Sequence, residues 1–162
     1  MSVLLAGLDP GLVAALTRRL VAEGDQVRMI GPRGAGETPP EAHVAAGELA
    51  DEDLVERACQ GVRTIVLGDG ARSEAPAALA AAARVGVDRA VLVGLPIPDL
   101  PASMSWIALV LPRRRLGLGT RLSPAAVAEA VDAADDLAGQ PRLVADLGTD
   151  EGWRALRLEP PR

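Results

Sequence analysis

The 162-residue sequence contains no phenylalanine, no tyrosine and no lysine. Trp106 and Trp153 are its only large rings. A core without other aromatics has to be built from many small aliphatic contacts, which suits a parallel sheet covered by alanine-rich helices. With no lysine, all 17 basic residues are arginine, a pattern that reads as coding bias. The absences also remove chemistry: no lysine Schiff base, lysine base or tyrosine acid can operate in this chain. A single cysteine, Cys59, excludes an internal disulfide and a cysteine-based metal cluster. A single histidine, His43, does not make a histidine zinc site, and no metal is expected. The formal charge of −5 argues against nucleic acid as a partner. No apolar run reaches the ~18 residues of a membrane span. The opening MSVLLAGLDP has neither a basic start nor a long apolar stretch, so it does not read as a secretion signal. These features predict a soluble cytoplasmic protein without a membrane partner.

What the chain does contain is an alternation of short β-branched runs and longer alanine- and leucine-rich periodic stretches. Strands are expected at 2–6, 26–30, 42–46, 64–67, 90–95, 106–111 and 142–145. Asp9 reads as a helix cap and Pro10 as the first helical residue, with Leu12, Val13, Leu16, Leu20 and Val21 on one face. Asp51 is expected to cap a second helix and Ser73 to open a third. Ser123-Pro124 starts a fourth, stapled by Leu122 and Val127. Asp132, Asp135 and Asp136 are expected on its wet side. Strands separated by helices predict an α/β protein: a doubly wound, Rossmann-like parallel sheet in three α/β/α layers, joined by right-handed crossovers. Residues 1–148 read as one domain and 149–162 as a C-terminal tail.

The segments VLLAGLDPGLVAALTRRLVAEGDQVRMI, GELADEDLVERACQGV, AAAARVGVDRAVLVG, SWIALVLPRRRLGLG and LSPAAVAEAVDAA, in that order and spacing, resemble the atypical and extended short-chain dehydrogenase/reductases, including NmrA-like proteins. The likeness covers roughly residues 1–147. It implies an NAD(P)-binding Rossmann domain, here truncated and degenerate. The family's Gly-x-x-Gly-x-x-Gly turn becomes Gly7-x-x-Pro10-x-x-Val13. Pro10 brings a ring and no N–H to the place where a pyrophosphate approaches. Val13 is expected to push the helix off the sheet, and Gly11 to relieve some of the crowding. Asp9 places a negative charge beside the helix N-terminus, where the phosphates would lie, and competes with them for the same amides; Leu12 is counted with these degenerate cofactor-binding positions. At the adenosine end, Arg33 follows strand two and favours a 2′-phosphate, while Glu48 stands where an acidic residue near adenine is usual. The expected cofactor is therefore none, or weak NADP. The family's Tyr and its Lys four residues on are absent, as is the helix between strands five and six that carries them; only Pro96–Ser105 joins the two strands. One sheet face near those strands is then expected to lie open, covered by a second copy in a homodimer or by the Pro-rich loop and the tail.

Two further groups have functional and structural readings. Arg113, Arg114, Arg115 and Arg121, at the carboxyl edge after strand six, form either a site for a small anionic ligand or a solvated loop. Asp69, in Gly68-Asp69-Gly70, is either a base at the same edge or a turn residue, the latter favoured. Cys59 reads as buried packing. Together these lead to a non-redox, ligand-sensing or partner-binding protein. The alternative is a small enzyme, either a reductase of atypical mechanism or a cofactor-free isomerase or cyclase.

Overall fold

A computed structural model describes residues 1–31, 38–112 and 122–161. The elements run β1 (Ser2–Ala6), α1 (Pro10–Ala22), β2 (Gln26–Gly31), β3 (His43–Ala46), α2 (Glu52–Cys59), β4 (Thr64–Gly68), α3 (Ala75–Arg84), β5 (Arg89–Val93), β6 (Ser105–Val110), α4 (Pro124–Asp135), β7 (Arg142–Asp146) and α5 (Asp150–Ala155). All strands pair in parallel in the order β3-β2-β1-β4-β5-β6-β7. The expected doubly wound α/β architecture is thus observed. The winding reverses between β1 and β4, which opens a crevice at their carboxyl ends. No helix among the described residues is long and apolar enough to cross a membrane.

Local signals explain the helix starts. The Asp9, Asp51 and Ser123 side chains accept from the amides of Leu12, Leu54 and Ala126, three residues on in each case. On α1 the buried stripe is Leu12, Leu16 and Leu20, with Val13 beside it; Val21 is 36% exposed and lies outside it, contrary to expectation. Ser73 does not open α3. The chain first makes a 3-10 turn at Asp69–Ala71, and the helix begins at Ala75 with Pro76 in its first turn. The alanines of α3 bring it close to the sheet: Ala78, Ala81 and Ala82 are fully buried.

The core divides into two layers. One holds α2 and α3 against Leu4, Ile65, Leu67, Ala90 and Leu92; the other holds α1, α4 and α5 against Val3, Leu5, Val66, Val91, Ile107 and Leu109. The placement of α4 corrects the expectation of uniform handedness. The step β4-α3-β5 and the step β6-α4-β7 move the same way across the sheet, yet their helices lie on opposite faces. Their hands are therefore opposite, and with right-handed steps elsewhere the β6-α4-β7 crossover is left-handed, a rare arrangement.

Polar anchors hold α4 there. Asp132 and Asp135 are 6% and 4% exposed, not on a wet face. Asp132 accepts from Arg19 Nε on α1 at 2.5 Å. Asp135 accepts from Arg63 and from the Thr64 hydroxyl at the start of β4. Arg89 donates to the carbonyls of Ala134, Asp135 and Gly139, so cations gather where the helix dipole is negative. Asp132, Glu23 and the exposed Asp136 bring their carboxylates together, and Arg19 supplies the neutralising cation, 3.9 Å from Glu23.

No helix lies between β5 and β6, as expected. The connecting loop covers the α3 side of those strands itself, with Leu95 and Met104 buried and Leu100 and Trp106 packed beside them. Trp153 of α5 covers the opposite side, its Nε1 donating to the Leu147 carbonyl at 3.0 Å. Among the described residues, what remains open on the α3 side is one strand further out, over β6 and β7, where Val110 and Val144 are 41% and 50% exposed.

Candidate functional site

The crevice at the carboxyl ends of β1, β4, β5 and β6 encloses about 870 Å³. That volume lies within the range of small-molecule sites. Leu8 and Leu12 form one wall; Val93, Leu95 and Pro96 with Val110, Leu111 and Pro112 form the other. Among the described residues, its charged ones are Asp9, Asp69 and Arg72.

The first turn is shaped around its own chain. Gly7 has φ +67, and a Cβ there would lie 2.4 Å from the Ala71 amide nitrogen and 2.6 Å from the Ala71 Cβ. The Gly70 amide donates to the Gly7 carbonyl at 2.9 Å, and a Cβ on Gly68 would lie 2.4 Å from that oxygen. The turns after β1 and β4 are therefore clasped together, and both need glycine for the close approach. Above the clasp, the amino end of α1 is already capped. Pro10 has no N–H, Asp9 Oδ1 takes the Leu12 amide at 3.0 Å, and the Asp9 carbonyl takes that of Val13 at 3.0 Å. Gly11 does not open space towards the crevice: a Cβ on it would meet Asp9 Oδ1 at 3.2 Å and the Pro124 ring at 3.5 Å.

The remaining sequence-derived positions separate. Asp69 sits at the crevice mouth in the 3-10 turn and is 68% exposed at its side chain; Arg72 grips its Oδ1 through Nε at 2.9 Å and Nη2 at 2.5 Å. Glu48 is exposed after β3 and does not line the crevice. Arg33, Arg113, Arg114, Arg115 and Arg121 lie outside the described residues. The walls supplied by Leu95, Pro96, Leu111 and Pro112, and the clamp from Arg72, were not anticipated. The available signal was position: these residues follow the strands whose carboxyl ends bound the crevice.

No protein-family profile and no curated protein sequence matches the chain. Solved structures do match its fold. A short-chain dehydrogenase/reductase from Veillonella parvula DSM 2008, in complex with NADP, superposes with a TM-score of 0.66 at 15% identity, over 86% of this chain and 88% of the other. ChuY, an anaerobillin reductase from Escherichia coli O157:H7, gives 0.65 at 15% identity over 90% and 96%. The Bordetella bronchiseptica enzyme WbmH, in complex with NAD+, gives 0.65 at 15% identity over 90% and 74%. The chain therefore shares the Rossmann-like α/β fold of these structures.

Proposed function

We propose that this chain uses the crevice of a dehydrogenase fold for non-redox work, as an NmrA-like ligand-sensing or partner-binding protein. The carrying observation is the self-capped amino end of α1. Of its first three amides, one is absent at Pro10 and one is held by the Asp9 carboxylate at 3.0 Å. A diphosphate seated there has to displace that carboxylate and bear its charge at close range. The turn does not fit the group, so residual NADP affinity is weak.

The inventory supports the same reading. Without tyrosine or lysine, the Tyr/Lys-assisted hydride transfer that the family resemblance implies has no proton donor here. Asp69, the residue an enzymatic alternative would use as a base, is held in an ion pair with Arg72. The ligand suited to the crevice is small and largely apolar, matching walls of leucine, valine and proline.

Titration with NADPH and with NADH, followed by calorimetry, tests this. The expected result is no saturable binding tighter than about 100 µM for either. Submicromolar affinity for one of them would restore an oxidoreductase reading and end this one.

A further inference from the structure

We draw no further inference here: the strongest candidate, the open sheet face over β6 and β7 with its half-exposed Val110 and Val144, carries nothing because nothing among the described residues shows what covers it.

Discussion

At the scale of single residues, short-range chemistry was legible and long-range chemistry was not. Asp9, Asp51 and Ser123 announce themselves because a cap and the amide it holds lie three residues apart. Asp132 and Asp135 gave the wrong impression because their partners lie far along the chain. Arg19 is 113 positions from Asp132, and Arg63 is 72 from Asp135. Charge on a helix reads as solvated until another element brings the counter-ion. Replacing Asp9 with alanine is expected to lower stability by about 1 kcal/mol, the usual worth of such a cap, measurable as a shift in the urea midpoint. The triple change Asp9→Ser, Pro10→Gly, Val13→Gly is expected to raise NADPH affinity over the wild type; calorimetry showing no gain would mean the obstruction lies elsewhere. Gly7→Ala combines a positive φ with a contact of 2.4 Å, so a loss above ~2 kcal/mol is expected in the same urea assay. Cys59 is fully buried, and burial pushes its thiol up to about 12. The folded protein is therefore expected to resist aromatic disulfide reagents at pH 8 and to react fully once unfolded. Because the folded value lies above the unfolded one, this thiol's contribution is intact below its ordinary range near 9. It is lost as pH rises from there towards 12.

Among the elements, strands were the most readable, because runs such as TIVL and WIALVL are short, continuously apolar and rich in β-branched residues or aromatics. The start of α3 was misplaced at Ser73 because a capping residue in sequence does not exclude an intervening 3-10 turn. The last segment was unreadable for a different reason. α5 spans only Asp150–Ala155, too short for periodicity to speak; it is capped by Thr149 and held by the burial of Trp153 and the adjoining Leu156. Trp153→Ala is expected to cost about 3–5 kcal/mol by chemical denaturation, since the indole fills the second core layer and its N–H is hydrogen-bonded inside. Asp135→Ala is expected to cost a comparable ~3 kcal/mol, leaving Arg63 and the Thr64 hydroxyl without their acceptor at the foot of the sheet.

For the molecule as a whole, alternation of strands and helices fixed the class of fold and the position of the crevice. It did not fix the hand of the last crossover. Handedness is a property of which face a helix lies on, and the contacts that tie α4 to its face, from Arg19, Arg63 and Arg89, come from residues far away in sequence. The open sheet face was anticipated one strand away from where it lies, because the Pro-rich loop proved able to cover β5 and β6 with Leu95 and Met104.

The reversed crossover shapes how synthesis must proceed. Val3, Leu5 and the inner side of α1 are made well before Val127, Val131 and Trp153, with which they share a layer. Until the segment from α4 onward is available, that earlier surface has no permanent cover. Contacts of such separation slow folding, and a nascent chain stalled before residue 124 is expected to depend on chaperones.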